Sequence, residues 1–135
     1  GRATAAELAR RGAQVLIGDL DVEEAHRTSD EIGVTATHLD VTDPSSVTAF
    51  HEAASALGPP TMLVNNAGIQ YMGPFSEQKL ELYHREVSVN LLGVINGMHA
   101  FLPGMLARDH GHIVNIASMA AKVTTPGMSV YCATK

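Results

Sequence analysis

Tyr131 and Lys135 stand four positions apart in the run S-V-Y-C-A-T-K. On a helix that spacing puts both side chains on one face, nearly in contact. A free tyrosine titrates near 10, so its phenolate is scarce at neutral pH. An ammonium group beside a phenol favours the charged form. At a separation of roughly 4 Å and an effective dielectric of about 20, the attraction is on the order of 4 kcal/mol before desolvation. Such a couple suits general acid–base chemistry. Taken alone it is equally a surface pair on an amphipathic helix, worth a few tenths of a kcal/mol.

Other residues could join it. Ser118 follows an apolar run, I-V-N-I-A-S, at a strand end where α/β active sites gather. Asn90 lies inside an apolar helical stretch, V-S-V-N-L-L. Asparagine is a poor helix-interior residue, and a buried amide needs partners. Asn65-Asn66-Ala67-Gly68 closes another strand, where small residues let a cofactor approach; an ordinary turn is the alternative. Asp19 comes 18 positions after Gly1, at the end of a strand. In dinucleotide-binding βαβ units an acid about 20 residues beyond the glycines takes the ribose hydroxyls. Asp21 competes for that role.

The elements that must hold these groups alternate. Helix is expected over Arg2–Arg11, stopped by Gly12, then strand over Gln14–Gly18. Asp21 to Ile32 reads as helix with a capping-box start, Asp21 and Glu24. Strand follows over Val34–Leu39. Asp43-Pro44 starts a third helix, which runs to Leu57 and stops at Gly58-Pro59-Pro60. Thr61–Asn65 is a third strand. A long helical stretch begins at Ser76 and bends near Tyr83. Gly111–Ile116 leads into a fourth strand, and Pro126-Gly127 turns the chain into the Tyr131 helix. The alternation points to an α/β fold with a parallel sheet, as one domain over 1–135.

Composition narrows the function. Hydrophobic residues make up 45% and charged ones 17%, a globular balance. A net charge of −5 with scattered basic residues argues against a nucleic-acid partner. One cysteine, Cys132, excludes an internal disulfide and fits a reducing cytoplasm. The seven histidines show no metal-ligand spacing. No apolar run is expected to reach the roughly 18 residues of a membrane span.

The ordered set Asp19, Asp40-Val41, N-N-A-G at 65–68, Asn90, I-V-N-I-A-S ending at Ser118, and Y-C-A-T-K resembles the short-chain dehydrogenase/reductases of the ordinary, non-extended branch. The likeness covers essentially the whole chain, including the 13 positions from Ser118 to Tyr131. It implies a Rossmann-type, doubly wound parallel sheet with helices on both faces, and an NAD(H)-dependent enzyme interconverting a secondary alcohol and a ketone. Tyr131 would be the general acid–base, Lys135 would assist it and hold the nicotinamide ribose, and Ser118 would bond the substrate oxygen. Asn90 would bend its helix and hold a water that links Lys135 to solvent. Gly1, Asp19, Asp40, Val41, Asn66, Ala67 and Gly68 would line the cofactor site, with Asp19 favouring NAD over NADP. A homodimer or homotetramer is the family's habit.

Three departures stand out: Ala117 and Ala121 where serine and glycine are frequent, and Thr61 where an acid is frequent. The resemblance also implies a piece of a longer chain. The family's sheet order is 3-2-1-4-5-6-7, and its first strand, due between the strands at 14–18 and 61–65, has no counterpart here. The competing reading is a non-catalytic dinucleotide-binding or interaction module on the same fold.

Overall fold

The computed structural model describes residues 1–135. Helix α1 spans Arg2–Arg10 and ends as Gly12 takes a left-handed φ of 87°. Strand β1 is Leu16–Asp19. Helix α2, Val22–Ile32, starts where the Asp21 side chain accepts the Glu24 N–H at 3.0 Å. Only this half of the capping box forms. The Asp21 N–H goes to Asp19 Oδ1 at 3.0 Å, and Glu24 pairs with Arg27 instead. Gly33, at φ 69°, closes α2.

Strand β2 is Thr35–His38, and α3 is Pro44–Leu57. Asp43 caps α3 by accepting from Ser45 N–H and Oγ–H, at 2.8 and 2.7 Å, with Pro44 in the first turn. Strand β3, Met62–Asn65, leads to the N-N-A-G segment. A short 3-10 turn, Phe75–Glu77, precedes α4, Leu80–Val87. A π-type turn, Ser88–Leu92, joins α4 to α5, Gly93–Ala107. Strand β4 is His112–Asn115 and α6 is Ser129–Thr134.

Two expectations change along the long helix. It begins at Leu80 rather than Ser76, because Gln78 and Lys79 hold extended backbone, ψ 146° and 138°. Its irregularity lies at Ser88–Leu92 rather than near Tyr83. A third expectation, on apolar length, also changes. Leu80–Ala107 runs 28 residues and is long and apolar enough to cross a membrane by length and composition. Its polar members Asn90 and Asn96 interrupt the apolar run in the sequence, yet both bond inward to the protein's own backbone. In this fold α5 packs on β3, β4 and α3.

All strand pairs are parallel. Leu16–Asp19 of β1 faces Thr35–His38 of β2, and Met62–Asn65 of β3 faces His112–Asn115 of β4. They form two separate two-stranded sheets, with no ladder joining β1 to β3. The resemblance places a further strand between these two pairs. Burial reflects the split. Only 12 of 135 residues are buried, and the core cluster is Leu63, Phe101 and Met105.

Glycine lets the layers meet. At Gly97 a Cβ would sit 2.4 Å from Asn65 Oδ1, so the asparagine side chain occupies that space. Asn65 in turn donates Nδ2–H to Asn115 Oδ1 at 2.8 Å, tying the ends of β3 and β4.

Candidate active site

The carboxyl ends of the parallel strands gather most of the groups singled out in the sequence. Asn90 is the centre of the arrangement. It is 2% exposed, so each polar atom it buries needs a partner. Its Oδ1 accepts the Ile69 N–H at 2.8 Å, and its Nδ2 donates to Ile69 O at 2.8 Å and Thr134 Oγ at 3.1 Å. The π-type turn carries this residue, and the Gly93 N–H bonds Ser88 O, one residue wider than an α-helical bond. The amide therefore joins the segment after N-N-A-G to the α6 turn that carries Lys135.

Lys135 donates from Nζ to Ile116 O at 3.0 Å, just beyond β4. A Cβ on Gly68 would lie 3.1 Å from this Nζ and 3.4 Å from Asn90 Oδ1. Gly68, Asn90 and Lys135 thus share one small volume. A cleft of about 120 Å³ beside them is lined by Asn90, Asn115, Thr134 and Lys135 with the apolar Leu91, Val94, Ile116 and Ala117. At about 30 Å³ per water, a few molecules fit there among polar partners.

Tyr131 is half-buried on α6, and its backbone carbonyl accepts the Thr134 hydroxyl at 2.9 Å. Ser118 starts a 3-10 turn, Met119–Ala121, that packs on α6. Its Oγ accepts the Ala120 N–H at 3.1 Å. That bond uses a lone pair and leaves the hydroxyl hydrogen to donate elsewhere.

The second group of residues forms a rim. Gly1 opens α1, and a Cβ there would come within 3.2 Å of Asn66 Nδ2. The N–H groups of a helix start thus stand beside the exposed Asn66-Ala67-Gly68 strip. This combination suits an anionic cofactor. Asp19 ends β1 with an exposed carboxylate; Asp21 is spent on its cap. Asp40 Oδ1 accepts Thr42 N–H and Oγ–H at 2.8 and 2.7 Å. Val41 is held from below. Its carbonyl accepts Asn96 Nδ2–H at 2.9 Å, and a Cβ on Gly93 would clash with its Cγ2 at 2.8 Å.

Asn96, Gly93 and Thr134 are positioning residues that sequence reading missed. A second helix-interior asparagine was the available signal for Asn96. A larger open depression of about 460 Å³ lies on α1, lined by Ala3, Thr4, Glu7, Leu8 and Arg11, none of which belongs to this site. There Arg10 and Arg11 bond Glu7 and hold its carboxyl below the usual range.

The short chain dehydrogenase pattern matches residues 1–135. The chain belongs to the short-chain dehydrogenase family. It is 42% identical over 142 residues to "Probable oxidoreductase EphD" of Mycobacterium tuberculosis, covering all of this chain and 24% of that protein. It is 38% identical over 141 residues to the 2,5-dichloro-2,5-cyclohexadiene-1,4-diol dehydrogenase LinX of Sphingobium indicum, covering all of this chain and 56% of that one. Among solved structures, a metagenomic short-chain oxidoreductase in complex with NADP superposes with a TM-score of 0.93 at 31% identity. All of this chain and 64% of that chain align. The chain therefore spans a quarter to about two thirds of these relatives.

Proposed function

We propose that the protein of which these residues form part interconverts a secondary alcohol and a ketone by hydride transfer with a nicotinamide dinucleotide. The carrying observation is the Asn90 hub, which bonds Ile69 and Thr134 together and sets Lys135 against Gly68. In oxidation, the alcohol proton passes to the Tyr131 oxygen as the carbonyl forms. In reduction, Tyr131 returns it. Ser118 donates its free hydroxyl hydrogen to the substrate oxygen and stabilises the charge that develops there. Lys135 follows Tyr131 by one helical turn, with its Nζ held at the end of β4 by Ile116 O. Water in the cleft lined by Asn90, Thr134 and Lys135 would carry the proton on to solvent.

The cofactor, when bound, accepts or supplies the hydride. Gly1 and Gly68 bring backbone close to Asn66 and Lys135 at the strand ends, beside the exposed Asn66-Ala67-Gly68 strip where the cofactor would lie. Lys135 would hold the nicotinamide ribose, and Asp40 and Val41 the adenine. Asp19 would take the adenosine ribose hydroxyls, and its carboxylate repels a 2′-phosphate, so NAD is the preferred cofactor over NADP. Exposed Leu91, Leu92 and Ile95 on the long helix suit a second copy of the chain, as a homodimer or homotetramer in the cytoplasm.

Initial rates of the full-length protein with NAD+ or NADP+ over a panel of secondary alcohols test the reading. Turnover with kcat/KM favouring NAD+ supports it. Cofactor binding without turnover across the panel would point to the non-catalytic module instead.

A further inference from the structure

Glu86 is the most deeply buried large side chain, 1% exposed, and the chemistry above makes no use of it. A buried carboxylate is costly unless hydrogen bonds meet it. Its Oε1 accepts the Tyr71 N–H at 3.1 Å. Asn90, four residues on, takes Ile69 through both N–H and C=O. Four helical residues rise about 6 Å, and two residues of extended chain about 6.6 Å. The helix therefore serves residues 69 and 71 as a neighbouring strand would. The next alternate residue, Gly73, donates its N–H to Gly127 O at 3.0 Å. Beyond it, Phe75 O accepts the Tyr83 hydroxyl at 3.0 Å, and the two rings stack at 4.9 Å.

Exposure alternates in step. Ile69, Tyr71 and Gly73 are half-buried, while Gln70 and Met72 are exposed. Both ends of the segment are tied to the chain around Tyr131. Asn90 also bonds Thr134, next to Lys135, and Gly127 lies four residues before Tyr131.

We propose that Glu86 is a positioning residue that fixes residues 69–73 as one wall of the substrate pocket, with Gln70 and Met72 reading the substrate. The inference rests on the hydride-transfer reading above. The wall offers one amide, which both donates and accepts, beside one apolar thioether. It suits a substrate with a second hydrogen-bonding group, such as a hydroxyl, next to an apolar surface.

The test uses the full-length protein with E86L, E86Q and Q70L. Tyr71 amide exchange is followed by NMR, and steady-state rates are measured with cyclohexanol and cyclohexane-1,2-diol. Loss of the acceptor in E86L speeds Tyr71 exchange about tenfold or more. KM for the diol rises about tenfold in E86L while kcat changes less than about threefold. E86Q keeps an acceptor oxygen and retains both properties. Q70L, at an exposed position, lowers the preference for the diol over cyclohexanol about tenfold; it carries the substrate readout if E86L fails to fold. Unchanged Tyr71 exchange in a folded E86L, or unchanged substrate preference in Q70L, overturns the proposal. Absence of turnover in the wild type would sink the hydride-transfer reading and the substrate half of this one, while Tyr71 exchange still decides the role of Glu86.

Discussion

Replacing Asn90 with leucine keeps the size of the side chain and removes every hydrogen bond it makes. Three are lost, to Ile69 N–H, Ile69 O and Thr134 Oγ. The two Ile69 groups are left without partners in a half-buried setting. A buried group so orphaned costs about 1–3 kcal/mol. Taking the low end for each, and about 1 kcal/mol for the Thr134 bond, the loss is about 3 kcal/mol. For a protein of roughly 150–250 residues, each kcal/mol lowers Tm by about 2–4 °C, so N90L melts about 6–12 °C lower. Asn90→Asp separates the contributions. It keeps the acceptor for Ile69 N–H but loses both donors and turns a carboxylate oxygen towards Ile69 O. N90D is therefore destabilised at neutral pH despite its near-identical shape. Thermal melting of the full-length variants by circular dichroism reads both. An N90L protein melting within about 2 °C of wild type would refute the view that this amide holds the site together.

Two further outcomes follow from local geometry. Gly97→Ala places a methyl 2.4 Å from Asn65 Oδ1 and disrupts the Asn65–Asn115 bond; overpacking of this kind costs about 1–3 kcal/mol, seen as a lower urea midpoint. At the start of α3, the Ser45 hydroxyl and N–H hold the Asp43 carboxyl below its usual range. A lowered carboxyl stabilises the fold above its unfolded value of about 3.9 and loses that contribution as pH falls through the folded value. Asp43→Ala therefore lowers Tm at pH 7, and its gap to wild type closes in acid; a gap that persists unchanged at low pH would contradict this.

Local chemistry was legible where the sequence carries it locally. Asp21, Asp43-Pro44 and Gly12 mark helix ends that the structure places within a residue or two. The four strands start and end within about two residues of their expected spans, and the lack of a ladder between β1 and β3 fits the sheet order that the resemblance implied. What the sequence hid depends on distant partners. Gln78 and Lys79 are ordinary helix formers, yet the chain there stays extended beside the Phe75–Tyr83 stack. The irregularity moved from Tyr83 to Ser88–Leu92, around Asn90, whose amide reaches Ile69 and Thr134, 21 and 44 positions away. Tyr131, Lys135, Ser118 and Asn90 were only candidates by type and spacing, and the family resemblance joined them into one set. Asn96 could not be assigned its carbonyl partner 55 positions away, nor Glu86 its amide, because neither pairing leaves a periodic trace.

The central claim is that Tyr131 moves the proton. Its direct test is turnover of the full-length Tyr131→Phe protein at saturating cofactor, with cofactor affinity and Tm measured on the same sample. Loss of an essential acid–base lowers kcat by about 10²–10⁴-fold. The account predicts that loss, with Tm and cofactor affinity close to wild type. A Phe variant that turns over at the wild-type rate would contradict it.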